Sequence, residues 1–169
     1  CPNNLYILGS DTVYGKNDIV AYNFQTKKLS RLTENLLPGI KTLRDYNINN
    51  DCSFGIYGWT LSDTSLLLTD DFDIWKLNLK QPDKVVNLTN GFGRSHNLVL
   101  RPIIRENAQR LFTDKELSIL SAFDLTTKQN GFYQLSVNKI EDPIKLSMAN
   151  CFYDSGMLGL VDFHPVKGK

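Results

Sequence analysis

Cysteine, histidine and glutamate are scarce in this chain of 169 residues, and each scarcity removes a class of chemistry. The three cysteines, Cys1, Cys52 and Cys151, lie far apart with no CxxC spacing, so the usual zinc frameworks are excluded and no disulfide code is legible. Only two histidines, His96 and His164, are present, and the four glutamates (Glu34, Glu106, Glu116, Glu141) include no adjacent pair. No apolar run approaches the roughly 20 residues that a membrane-spanning helix needs. The formal net charge is +1 and there is no basic stripe, which argues against a nucleic-acid partner. Helical periodicity is nearly missing; only Ile40–Tyr46 has the pattern of a helical turn. Nothing in the composition calls for a cofactor. What remains, with 41% hydrophobic and 22% charged residues and a mean hydropathy of -0.26, is an ordinary globular chain with enough length for a core.

The ends carry no targeting signal. The start "CPNNLYILGSD" has neither an initiator Met nor a signal-peptide pattern, and "FHPVKGK" closes the chain just after the apolar run Met157–Phe163. Both ends read as cuts through a longer protein.

What is present is a repeat. "NDIVAYNFQTKKLSRLTEN", "FDIWKLNLKQPDKVVNLTNG" and "NGFYQLSVNKIEDPIKLSMAN" align when Asp18, Asp73 and Gly131 are made equivalent. The pairs that begin at Leu32, Leu88 and Leu146 (Leu-Thr, Leu-Thr, Leu-Ser) keep step with those landmarks. The unit of about 56 residues exceeds the roughly 40–50 of common propeller repeats, and the excess lies in connections such as Glu34–Asp51 and Ile104–Glu116. Each unit predicts a strand of alternating residues after the landmark, a polar turn (Gln25–Lys28, Lys80–Lys84, Asn138–Pro143) and a short strand ending in the Leu-Thr or Leu-Ser pair. Apolar runs at Leu5–Leu8, Leu66–Thr69 and Ser118–Phe123 precede the landmarks, and Phe54–Trp59 and Leu98–Ile104 supply one strand more. About four antiparallel strands per unit, repeated about three times, predict an all-β chain forming a partial β-propeller. A β-sandwich would also show many short strands, but it would not require the regular step. Three blades are too few to close a ring. The expected blades are residues 1–47, 48–103 and 104–156, with 157–169 opening a further one.

Several residues invite chemical readings. Asp70, Asp71 and Asp73 place three acids within four positions, as hard-oxygen ligands would require, but they lack the spacing and distal glutamate of a calcium loop. Capping of a strand-to-strand turn explains them better, and the Asp-or-Gly choice at the landmark is taken as a demand for turn geometry. His96, in "GFGRSHN", is expected to be a hydrogen-bonded loop residue rather than a general base, and His164 stands beside Pro165 with no partner in sequence. Arg94, Arg101 and Arg105 have the spacing to line a channel and fork onto a peptide carboxylate, although pairing at blade junctions is the favoured reading. Trp59 and Trp75 are expected to fill space between blades. Asn87-Leu88-Thr89 matches a glycosylation acceptor but coincides with the repeated strand ending.

Four runs in order, "FGIYGW", "DDFDIWKLNLK", "VVNLTNGFGRSHNLVLR" and "LSAFDLTTKQNGFYQLSV", resemble the propeller domain of prolyl oligopeptidase-family serine peptidases. The likeness covers Phe54–Leu146 and is nearest to large exported members from Bacteroidetes-type bacteria. It implies a propeller that restricts peptide access to an α/β-hydrolase domain carrying a Ser-Asp-His triad, and a periplasmic or otherwise extracytoplasmic setting. Partners implied are that hydrolase domain and a peptide substrate. The nucleophile elbow is not in this sequence, which contains no G-x-S-x-G, and "ILGSD" lacks it. The paired glutamates of dipeptidyl members have no counterpart here. The expectation is therefore a non-catalytic segment, with no catalytic or metal-binding residue assigned and substrate-binding residues unknown. The alternative is a TolB-like propeller that binds a protein or ligand without hydrolase activity; a carbohydrate-processing propeller ranks last, because the acids cluster at turns. An open row of blades leaves bare sheet faces, so self-association of the chain is also expected.

Overall fold

The structure, a computed structural model, describes residues 6–13, 16–32, 55–60, 65–103, 111–112 and 117–151. Three sheets account for nearly all of them. The first is a meander of β1 (Tyr6–Val13), β2 (Lys16–Asn23) and β3 (Lys28–Arg31). The second runs β4 (Gly55–Thr60), β5 (Ser65–Thr69), β6 (Ile74–Asn78) and β7 (Gln81–Asn87), all antiparallel. A one-turn helix, α1 (Phe92–Ser95), leads into the third sheet. That sheet holds β8 (Leu98–Pro102), β10 (Leu117–Asp124), β11 (Asn130–Ser136) and β12 (Ile144–Ala149). Between β8 and β10 the chain visits the second sheet, where β9 (Leu111–Phe112) pairs in parallel with β4.

The alternation of apolar residues explains how these sheets stack. β5 reads Ser65-Leu66-Leu67-Leu68-Thr69 and is buried at every position, which a sheet with one wet face would not allow. Leu66 and Leu68, with Trp75, Leu77 and Leu79, meet Ile19, Ala21 and Leu32 of the first sheet. Leu67 and Ile74 meet Leu98, Leu100, Leu120, Ala122, Tyr133, Leu135 and Val137 of the third. The second sheet is thus sandwiched between two neighbours. Burying each of these leucines stabilises the stack by about 1.5–3 kcal/mol. Consecutive meanders packed face to face make the propeller-like arrangement that the repeat predicts.

The repeat also sets the turns. Asn23 Oδ1 accepts the backbone N–H groups of Gln25 (2.8 Å) and Thr26 (3.0 Å), and Asn78 Oδ1, at the equivalent place one unit later, accepts that of Lys80 (2.9 Å). Such side-chain mimicry of a backbone turn is why Asn recurs there. Leu32 N–H donates to Ile19 (2.7 Å) and Leu88 N–H to Ile74 (2.9 Å), so Leu32 and Leu88 sit one residue past β3 and β7 at matching places.

Four expectations need correction. β8 hydrogen-bonds to β10, so the boundary drawn at residue 103 moves back into the connection at 88–97. The turn expected at Lys80–Lys84 closes sooner, with Gln81 already paired to Asn78 across a register shift. Gly131 does not occupy a turn; it lies in β11 opposite Ala122, where an added Cβ would meet the Ser147 carbonyl oxygen and, at 2.7 Å, the Met148 sulfur. Glycine is required there by close approach of β12, not by φ. A helical turn forms at Phe92–Ser95, in the stretch read as a loop, entered through Asn90 (φ 54°) and Gly91 (φ 73°) in left-handed geometry. The Ile40–Tyr46 turn and the 157–169 strand lie outside the described residues.

Candidate functional site

Among the described residues, the densest buried polar cluster lies where the second sheet hands over to the third. It is built from the β5–β6 turn and the connection through α1. Asp70 Oδ1 accepts the N–H groups of Phe72 (2.8 Å) and Asp73 (2.6 Å), closing the turn. Its Oδ2 takes the Arg94 guanidinium at 3.1 Å, and that guanidinium lies over the Phe72 ring, 4.9 Å from its centroid. Asp73, 1% exposed, reaches the other way. Its Oδ1 accepts the Thr89 hydroxyl (2.7 Å) and the Gly93 N–H (2.9 Å), and Oδ2 accepts the Arg94 N–H at 3.4 Å. Thr89, fully buried, in turn accepts the Ile74 N–H at 3.2 Å.

Two local facts allow this. Gly93 has no side chain, and a Cβ there would stand 2.6 Å from the Phe72 carbonyl oxygen and 2.9 Å from both Asp73 Oδ1 and the Leu98 carbonyl oxygen. The backbone then carries the junction onward, with Leu100 N–H donating to the Phe72 carbonyl at 3.0 Å. Arg101 donates to the carbonyls of Leu100 (2.7 Å) and Asp71 (3.1 Å). Burial lowers the Arg101 pKa below its ordinary value, an effect opposed by Asp70, Asp71, Tyr57 and Asp73. Tyr57 on β4 donates its hydroxyl to the Pro102 carbonyl. More than half of these bonds join the second sheet, or its turn, to the entry of the third.

Chemically the cluster is a clamp. The oxygens of Asp70 and Asp73 already face N–H, O–H and guanidinium donors, and among the described residues no group of three His, Cys, Asp or Glu side chains is placed to hold a metal ion. Asp70 closes its turn as the sequence suggests. Asp73 does more than cap, because its carboxylate reaches across 20 residues to organise the next connection. Arg94 and Arg101 pair with an acid and with carbonyls, as junction arginines do; Arg105 lies outside the described residues.

His96 stacks on Phe92 with centroids 4.0 Å apart, and its Nδ1 is 3.0 Å from both the Phe92 carbonyl oxygen and Ser95 Oγ. Ser95 Oγ donates to the same carbonyl at 3.1 Å. The consistent assignment puts the proton on His96 Nδ1, shared between the carbonyl and Ser95 Oγ. A base that already carries its proton on the atom facing the serine does not activate it. The exposed Ser95–His96 contact is therefore a loop feature.

Thr89 of the acceptor-like Asn87-Leu88-Thr89 is inside the clamp, and Trp59 and Trp75 pack between the first two sheets. Cys151 is an exposed free thiol; Cys1, Cys52, His164, Glu34, Glu106 and Glu116 lie outside the described residues. The feature that sequence reasoning missed is Gly93, whose signal was its place in "NGFGR" after the Leu-Thr pair.

Fold and clamp together define a section of stacked, propeller-like sheets. Comparisons with family models, with curated proteins and with solved structures gave no match.

Proposed function

We propose that this chain is a non-catalytic propeller section of an exported prolyl oligopeptidase-family serine peptidase, in which it helps shape the chamber that admits peptides to a hydrolase domain. One observation carries the reading: the four quoted runs occur in order and fall on two consecutive sheets and on the clamp between them. Their acids, threonine, glycine and arginine are engaged in holding sheet to sheet, the work required of a rigid lid. In such a role the stack excludes folded substrates by its shape while the chemistry happens elsewhere.

The test has two arms. Purified chain is incubated with a fluorophosphonate probe and with prolyl dipeptide substrates; neither labelling nor turnover is expected, and a labelled serine would overturn the non-catalytic assignment. The reading frame beyond Lys169 is expected to encode G-x-S-x-G, then Asp, then His. A frame without that series would overturn the peptidase assignment and favour a TolB-like binding propeller.

A further inference from the structure

With Asp18, Asp73 and Gly131 made equivalent, one row of side chains is buried in two sheets and only partly covered in the other. In the second sheet Trp75, Leu77 and Leu79 are buried against the first sheet at 7%, 0% and 7% exposure. In the third, Tyr133, Leu135 and Val137 occupy the same places and are buried against the second. The matching residues of the first sheet are Val20, Tyr22 and Phe24, which alternate with the core residues Ile19 and Ala21; Val20 and Tyr22 are half-buried and Phe24 is exposed. Tyr22 and Phe24 stand edge to face with centroids 5.5 Å apart, and Phe24 is 46% exposed.

The opposite row behaves in the complementary way. Leu8 pairs with Ala21, Leu67 with Lys76 and Ile119 with Gln134, which makes Leu8, Leu67 and Ile119 equivalent. Leu8 packs into the core between the first two sheets, and Leu67 is 1% exposed in the core between the second and third. Ile119, on the far face of the third sheet, is 40% exposed.

The two bare ends therefore belong to a joint that the molecule makes twice internally. We propose that the outer face of the first sheet, centred on Tyr22 and Phe24, docks on the outer face of the third sheet of a second copy, centred on Ile119. This continues both internal interfaces with the same rows in contact. It is a heterologous, head-to-tail contact, so association is open-ended unless the rotation closes a ring. The contact rests on the register of the repeat and concerns this chain alone; within a longer propeller the same two faces would receive neighbouring blades.

Sedimentation of the full chain and of the variants Phe24→Asp and Ile119→Asp tests it. Both positions are solvent-facing, so the variants keep the fold, checked by circular dichroism. Wild type is expected to form dimers and larger species as its concentration rises to about 100 µM, a range that captures micromolar contacts. Each variant alone stays monomeric. Mixed together they form a one-to-one dimer and stop, because one retains an intact first-sheet face and the other an intact third-sheet face. A wild type that is monomeric at every concentration overturns the proposal. A mixture that stays monomeric, or single variants that still assemble, overturns it equally.

Discussion

Replacing Asp73 by alanine is expected to cost much more than its size suggests. The carboxylate is 1% exposed and takes three donors, two of them from α1 in the next connection. Removing it strands the buried Gly93 N–H, which costs about 1–3 kcal/mol for an unmet buried donor. The Thr89 hydroxyl fares better, because Asn87 Oδ1 lies 2.8 Å away and can take its proton. Adding the loss of charge-assisted bonds gives about 2–4 kcal/mol in total. Asp124 is the control. It likewise accepts two backbone N–H groups, from Thr126 (2.7 Å) and Thr127 (2.9 Å), but both bonds are exposed. Water replaces the acceptor there, so Asp124→Ala should cost under about 1 kcal/mol. Urea titration at neutral pH measures both; at about 1–3 kcal/mol per molar the Asp73→Ala midpoint falls by roughly 0.7–4 M with an unchanged slope. Equal shifts for the two variants would refute the claim that Asp73 ties one sheet to the next.

Two other outcomes follow from the same geometry. Gly93→Ala should destabilise by about 1–3 kcal/mol or more, since the neighbours of its new methyl are two backbone carbonyls and the Asp73 carboxylate, which have little room to yield; the same urea titration checks it. Bonds from Thr127 and Thr126 lower the Asp124 pKa below its ordinary 3.8, so as the pH falls the unfolded chain takes up the proton first. The stability from that carboxylate is complete above about pH 4 and is lost as the pH drops through its lowered native value. Asp124→Asn, which retains the turn acceptor but not the charge, should flatten the stability–pH curve in that window, so that its small loss of stability relative to wild type shows above about pH 4 and vanishes in acid.

The repeat was legible because its cause is local. Asn23 and Asn78 begin equivalent turns with their own side chains, and strict alternation along each strand fixes which neighbours face the same way. The face assignments of Trp75, Leu77 and Leu79 follow from that period alone. Features set by distant backbone were not legible. Gly131 is glycine because β12 crosses close to it, and no local rule separates that from a turn glycine. The membership of β8 depends on Leu120 pairing with Pro102, across a connection that local patterning does not span. The helical turn at Phe92 forms where Asp73 gathers the N–H groups of Gly93 and Arg94. Of the clamp, the aspartates stood out in the sequence. Thr89 and Arg94 stood out for other reasons and Gly93 did not; their joining to the aspartates was not legible, because they become neighbours only after the strands pair.

Everything in this architecture depends on the second sheet being covered on both faces. Leu67 and Leu68 are adjacent, point in opposite directions, and are 1% and 0% exposed. Alanine at each position, measured separately by urea titration, is the most direct test. Stacked sheets predict losses of about 2–5 kcal/mol for both substitutions, as for any fully buried leucine. A large loss at one position with less than about 1 kcal/mol at the other would mean that one face is open to water, and would contradict the stack.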